Sequence, residues 1–315
     1  MNQKRLSEMA LGLLGVFLFC LSVWVIGHEL QNYDYRDVLR SIDAISMPRL
    51  LLAIVLTGFN YWILTGYDLL ALHYIRKSLP YRRVLLTAII SYAISNSTGF
   101  ALLTGGAIRY RLYSLWGLSA GDIARIIAFS NLGFWVGLFA VGGVVFLLEP
   151  IAIPALLHLP FVSVKPISML FLALVAAYLI SSIASRHSIK LGRWVLPHLP
   201  INLSLMQIFV TSIDWAIAGG VLYVLLPSGH LPSFPAFFGV YLLAQLAGVV
   251  SHVPGGLGIF ETIILLLLEP SIPAVNLLGA LLAYRGIYYF LPLAVALALL
   301  GSYEVKQRVL RRPSR

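Results

Sequence analysis

Ser251-His252-Val253-Pro254-Gly255-Gly256-Leu257-Gly258-Ile259-Phe260-Glu261 interrupts one long apolar stretch of the chain. An earlier stretch is interrupted by Ser95-Asn96-Ser97-Thr98-Gly99 and then by Thr104-Gly105-Gly106-Ala107-Ile108-Arg109-Tyr110-Arg111. Both breaks carry charge. Irregular backbone at membrane depth leaves polar groups unpaired unless it lines a polar cavity or a ligand. Paired Gly/Pro interruptions in corresponding halves of a membrane protein therefore point to a transport site.

The composition around these breaks is that of a membrane protein. Hydrophobic residues make up 60% of the 315 and charged residues 11%, with a mean hydropathy of +0.91. Apolar runs of about 18 residues or more recur, each long enough to cross a hydrocarbon core of roughly 30 Å. No hydrophilic stretch is long enough for a soluble domain, so residues 1–315 read as a single transmembrane domain. The net charge of +10 sits in short loops and at the C-terminus, where the positive-inside rule puts it. It does not call for nucleic acid. The single cysteine, Cys20, lies in the first apolar run and has no intrachain partner. Lys4 and Arg5 before the run 9–27 imitate a signal peptide, but the run is long and no A-x-A site follows it. It reads as an uncleaved first helix.

Counting crossings gives a topology. Basic clusters at Lys4/Arg5, Arg76/Lys77/Arg82/Arg83, Arg186/Lys190/Arg193 and Lys306/Arg308/Arg311/Arg312/Arg315 are placed in the cytoplasm. Segments 149–166 and 228–233 are then external. Parity fails unless 84–104 dips in from the cytoplasm and returns, and unless 234–252 with 257–268 dips in from outside. Stretch 257–268 amounts to only roughly 18 Å of helix. The expected fold is all-α and polytopic, with about six full spans and two re-entrant helical hairpins. The halves, about 49–148 and 205–302, form an inverted repeat, with Gly105-Gly106 and Gly255-Gly256 lying 150 positions apart. Both termini are cytoplasmic. The plainer alternative is that both interrupted stretches cross fully.

Asp68, Arg109, Asp214, Glu261 and Arg285 lie within or at the edge of apolar segments. Each costs roughly 2.5–3.5 kcal/mol at mid-helix, so they must pair, face the interior or line a wet cavity. Three acids against two bases almost neutralise. They form either an ion-pair network that fixes helix register or a binding site for a charged headgroup. Glu261 falls one turn after Pro254-Gly255-Gly256, near a helix N-terminus with free N–H groups. Arg109 and Arg111 after Gly105-Gly106 suit phosphate, with flanking amides as further donors. Asp68, near its helix end, is as readily a cap or rim residue. His252 reads first as a histidine bonded to backbone, with proton coupling as the functional alternative. Arg125 snorkels to the surface, and Trp116, Tyr288 and Tyr289 read as interface anchors. No second His or Cys stands at metal-ligand spacing, no catalytic motif is present, and no cofactor is expected.

The block Pro254-Gly255-Gly256-Leu257-Gly258-Ile259-Phe260-Glu261, with Ala283-Tyr284-Arg285 and Tyr288-Tyr289-Phe290-Leu291-Pro292, resembles the lysylphosphatidylglycerol synthase transmembrane, or flippase-like, family. Gly105-Gly106-Ala107-Ile108-Arg109-Tyr110-Arg111-Leu112-Tyr113-Ser114 and Tyr67-Asp68-Leu69-Leu70-Ala71 resemble its short, stand-alone inner-membrane members from Gram-negative bacteria. The resemblance implies a multi-pass protein of the bacterial inner membrane that moves phospholipid between leaflets. Asp68, Arg109, Asp214, Glu261 and Arg285 match its functional motifs, while Ala107 stands where similar proteins often have Gly. Larger members carry a soluble aminoacyltransferase domain that makes lysyl-phosphatidylglycerol. None stands in these 315 residues, so synthesis is not expected.

The sequence therefore points to a translocator of a charged-headgroup lipid rather than an enzyme. The expected site comprises Asp68, Arg109, Arg111, Asp214, His252, Gly255, Gly256, Glu261 and Arg285. Its partners are the membrane and a phospholipid with an anionic or zwitterionic headgroup; homo-oligomerisation stays open. The alternatives are a membrane-embedded lipid-modifying enzyme using Glu261 or His252, and a structural subunit of an envelope complex. Cysteine accessibility scanning is expected to place residues 105–121 on the cytoplasmic side and 269–276 outside. Labelling of residue 115 only from outside would overturn this topology.

Overall fold

Long apolar helices dominate the computed structural model of the chain. It describes residues 35–98, 101–149, 163–184, 189–191, 194–196, 199–227, 229, 231–251, 253–269 and 271–310. The expected first helix at 9–27, with Cys20, lies outside the described residues, as do His252 and most of segment 149–166. After a short helix α1 (Tyr35–Asp43) come α2 (Met47–Tyr74), α3 (Tyr81–Thr98), α4 (Ala101–Leu115), α5 (Ala120–Leu148) and α6 (Lys165–Ala184). The second half holds α7 (Ile201–Leu225), α8 (Phe234–Val250), α9 (Ile259–Leu268), α10 (Ala274–Tyr284) and α11 (Leu291–Leu310). The strands among the described residues are a three-residue pair, Ile189–Leu191 against Trp194–Leu196, antiparallel. Among the described residues five stretches are long and apolar enough to cross a membrane: α2, α5, α6, α7 and Ala274–Tyr303. The protein is a polytopic, helical membrane protein. Large apolar side chains such as Leu51, Val55, Phe59, Met169 and Phe209 stand exposed on its outside, as a hydrocarbon surrounding allows.

Two antiparallel hairpins sit between these long helices. In the first, α3 turns into α4. Ser97 and Thr98 return their hydroxyls to the carbonyls of Ala93 and Ile94, four residues back, which lets side chains compete with the ladder at the helix end. Thr98 then bonds Thr104 across the hairpin at 2.9 Å. Gly105-Gly106 is not the break that the sequence suggested: it lies inside α4. A Cβ on Gly105 would collide with the Ser95 hydroxyl, so this glycine is there for close helix packing. In the second hairpin, α8 turns into α9 through Pro254–Gly256. Gly255, Gly256 and Gly258 have φ of 62°, 63° and 80°, a left-handed region that other residues enter at a cost. The two Gly-Gly pairs therefore share spacing but not conformation. The hairpin ends touch: the Ser97 carbonyl is 3.7 Å from where a Cβ would stand on Gly255. The Ser97 hydroxyl also donates, at 3.4 Å, to the carbonyl of Tyr289, which follows α10.

The two hairpins hang on α2 and α7, which pack antiparallel, with Asn60 opposite Asp214 and Gly66 against Val210. The largest packed cluster lies on the second half, around Trp215, Phe237, Phe238, Tyr241, Phe260 and Tyr284. Between α10 and α11 the helix widens into a π turn, Arg285–Phe290, with the Leu291 N–H bonded to the Gly286 carbonyl five residues back. Pro292 has no N–H to offer the Tyr288 carbonyl. That carbonyl accepts from the Tyr61 hydroxyl at 3.4 Å instead.

Close packing at glycines gives a stability test. A Cβ on Gly137 would press into the Thr211 side chain, whereas one on Gly58 meets nothing within 4 Å. Gly137→Ala is expected to cost about 1–3 kcal/mol through overpacking, read as a lowered melting temperature of the purified protein. Gly58→Ala should stay within about 0.5 kcal/mol of the parent.

Candidate functional site

Five charges inside the helices resolve into two ion pairs and one remaining acid. Asp68, six positions before the end of α2, is fully buried rather than at a rim. It meets Arg109 of α4, whose Nε lies 3.0 and 3.2 Å from the two carboxylate oxygens and whose Nη2 lies 3.0 Å from Oδ1. The Tyr113 hydroxyl donates to Oδ2 at 2.8 Å and the Ser130 hydroxyl to Oδ1 at 3.3 Å. Tyr113 stands one turn after Arg109, so both reach one face of α4. The guanidinium also lies over the Tyr92 ring, 4.5 Å from its centroid. The expected cradle of free amides around Gly105-Gly106 is absent here, because those N–H groups belong to the α4 ladder. Arg111, two positions along, points to another face of α4 and is only half-buried.

The second pair is built at the other hairpin. Glu261 occupies the first turn of α9, and its Oε2 accepts from the Gly258 N–H at 2.9 Å. The left-handed turn thus aims a helix N-terminus at this carboxylate, an arrangement that favours negative charge. Its Oε1 accepts from Arg285 Nε at 2.7 Å. Arg285 Nη1 donates to the Gly255 carbonyl at 2.9 Å, so Gly255 supplies a ligand as well as a turn. The guanidinium lies 4.7 Å from the Tyr289 ring and 5.7 Å from Phe260. Tyr288 and Tyr289 are therefore not interface anchors. Both are buried, and the π turn brings them inward.

Each arginine keeps one nitrogen in reserve. Nη2 of Arg109 and Nη2 of Arg285 are buried and make no directed hydrogen bond, although each lies within ion-pair distance of its acid. The short N–O distance supplies Coulomb attraction, but the N–H directions are off line, so donor capacity is unspent.

Asp214 joins neither pair. Its Oδ1 accepts from Asn60 Nδ2 at 2.9 Å and its Oδ2 from the Tyr67 hydroxyl at 2.7 Å. The Tyr288 hydroxyl donates to Asn60 Oδ1 at 2.8 Å and so orients that amide. Asn60, Tyr67, Tyr92, Tyr113 and Ser130 were not singled out from sequence. For Asn60 a signal existed: a lone amide midway along a 28-residue apolar helix needs a partner. Arg125 is exposed beside Asp122, as its surface reading required. Among the described residues no group of three His, Cys, Asp or Glu could hold a metal ion.

Residues 10–296 match the family described as the lysylphosphatidylglycerol synthase TM region. Uncharacterized protein slr0712 of Synechocystis is 51% identical over 304 residues, covering 96% of this chain and 94% of that protein. The inner membrane protein YbhN of Escherichia coli is 32% identical over 285 residues, 89% of this chain and 88% of that protein. A phosphatidylglycerol lysyltransferase of Staphylococcus haemolyticus is 26% identical over 305 residues, which are 96% of this chain but 35% of that enzyme.

Removing one member of a buried pair leaves an uncompensated charge, at about 3–5 kcal/mol. Arg109→Ala and Asp68→Ala should each lose roughly that stability in thermal unfolding. The exchange Asp68→Arg with Arg109→Asp should recover more than half of it, and a double-mutant cycle with no coupling would contradict the pairing.

Proposed function

Because the chain belongs to the lysylphosphatidylglycerol synthase TM region family, we propose that it is a phospholipid translocator of the bacterial inner membrane. It moves a charged headgroup between leaflets without altering it. In this reading α3–α4 and α8–α9 are re-entrant hairpins entering from opposite sides, six helices span fully, and the halves form an inverted repeat with both termini cytoplasmic. The antiparallel pairing of α2 with α7 and the approach of Ser97 to Gly255 at the hairpin ends support that arrangement. The short α9, ten residues and about 15 Å long, supports a helix that stops partway across.

One observation carries the functional reading: at each hairpin stands a buried arginine, Arg109 within α4 and Arg285 on the π turn beside α9, with an unspent Nη2, paired to a carboxylate and stacked on an aromatic ring. A planar guanidinium with a spare donor fits a phosphate oxygen. The neighbouring carboxylate suits the cationic part of a zwitterionic headgroup. Each pair is neutral as it stands, so a zwitterionic headgroup that exchanges with the existing partners adds no net charge to the interior, and an anionic one adds a single charge. That exchange lets it bind without being trapped. Arg109 and Arg285 are the proposed phosphate ligands, with Asp68 and Glu261 as the groups they leave and return to. The Gly255 carbonyl and the Gly256 turn hold Arg285 in place. Asp214 and Asn60 hold the two halves together around them.

Purified protein in liposomes is expected to speed the transbilayer movement of a labelled phospholipid. Glu261→Gln should slow that movement at least severalfold, and mass spectrometry of the lipids afterwards should show no new species. A protein-dependent modified lipid with no change in leaflet distribution would replace the translocator with a lipid-modifying enzyme.

A further inference from the structure

Asp214 stands halfway along α7, the acid left over when Asp68 and Glu261 have taken the two arginines. Among the described residues no Arg, Lys or His pairs with it. The titratable groups that face it are phenols from four elements: Tyr61 and Tyr67 of α2, Tyr92 of α3, Tyr241 of α8 and Tyr288 of the π turn. Held by one amide and one phenol, an ionised Asp214 carries a charge that no described cation cancels. With no lipid cation beside it, such a group is neutralised by a metal cation or by a proton.

The donor set decides between them. Asn60 Nδ2 points an N–H at Oδ1, with its orientation fixed by the Tyr288 hydroxyl on the amide oxygen. The Tyr67 hydroxyl points at Oδ2. A hard cation needs several oxygen lone pairs turned toward it, and here the carboxylate is surrounded by hydrogens. A proton needs only one oxygen and one partner able to reverse its role. A phenol is both donor and acceptor. Tyr67, at 2.7 Å, donates to the ionised carboxylate and accepts from the carboxylic acid, so the bond survives in either state. Asp214 also keeps 7% of its surface exposed, where Asp68 and Asn60 keep none.

We propose that Asp214 is the proton-carrying group of this protein and that lipid movement is coupled to proton movement through it, an inference that rests on the translocator reading above. One O–H bond forms at Oδ2 when a proton is taken from water on one side, and the same bond breaks when it is released to the other. No electrons change hands. Asp214 joins α2 to α7 through Asn60 and the π turn through Tyr288, so its charge is felt where the two halves and Arg285's helix meet. Tyr67 is a positioning residue for the transfer.

The protein is reconstituted in phosphatidylglycerol–phosphatidylcholine vesicles with labelled phosphatidylglycerol, with and without a pH gradient. One proton per lipid and a gradient of one pH unit should shift the steady-state leaflet ratio by about tenfold. Asp214→Asn, neutral and able to bond both Asn60 and Tyr67, should abolish the shift. Infrared difference spectra of the purified wild type should show a carboxylic-acid carbonyl band that grows as pH falls, is missing from Asp214→Asn and moves in Tyr67→Phe. Lipid that moves freely but ignores the gradient overturns the coupling and leaves the translocator reading intact. So does the absence of a titrating band from Asp214. If no lipid moves under any gradient, the translocator reading falls and the coupling with it.

Discussion

Hydrocarbon around a helix bundle makes an isolated charge expensive, and the arrangement of this protein follows from cancelling that cost at two points. Asp68 with Arg109 and Glu261 with Arg285 are each closed by a second layer: Tyr113 and Ser130 around the first acid, the Gly258 N–H and Gly255 carbonyl around the pair at the other. Breaking such a pair costs about 3–5 kcal/mol, comparable to much of a domain's net stability. The pairs therefore set which hairpin register is allowed. They also account for the aromatic rings beside both guanidinium groups, which shield the cation without adding polar atoms.

The pairs are not independent of the crossing between α2 and α7. Asp68 is eight positions after Asn60 on α2, and Asn60 grips Asp214 on α7 while Tyr288 grips Asn60 from the π turn. Arg285 begins that same turn. A rotation of α2 against α7 would thus disturb both ion pairs at once, through covalent continuity and two short hydrogen bonds. Such a rigid connection through packed side chains is the physical basis on which separate sites influence each other.

Much of this was legible in the chain. The apolar runs announced a polytopic helical protein, and charge within those runs drew attention to Asp68, Arg109, Asp214, Glu261 and Arg285. The pairings were not legible. Asp68 and Arg109 are 41 positions apart, and Asp214 was as good an arithmetic partner as either other acid. Gly105-Gly106 misled because a glycine pair signals either a left-handed turn or a close helix contact. Only neighbours decide, and Ser95 made it a contact while Pro254 and Gly258 made the other pair a turn. Tyr288 and Tyr289 misled because a tyrosine near an apolar helix end normally points outward. The widened turn before Pro292 rotates them in, and nothing in the local pattern announces it.

In both pairs the acid precedes the base along the chain, and this bears on how the protein is made. At roughly 5–20 residues per second, Arg109 follows Asp68 by about 2–8 s, and Arg285 follows Glu261, 24 positions earlier, by about 1–5 s. For that interval the nascent chain holds a carboxyl group with no counter-charge. The acid-bearing segment must wait at the insertion machinery or in the headgroup region, or enter as a neutral acid. Each acid is then met by a cation on a later segment, Arg109 within the first hairpin and Arg285 beyond the second, and the chain assembles by capture of a later segment rather than by one helix at a time.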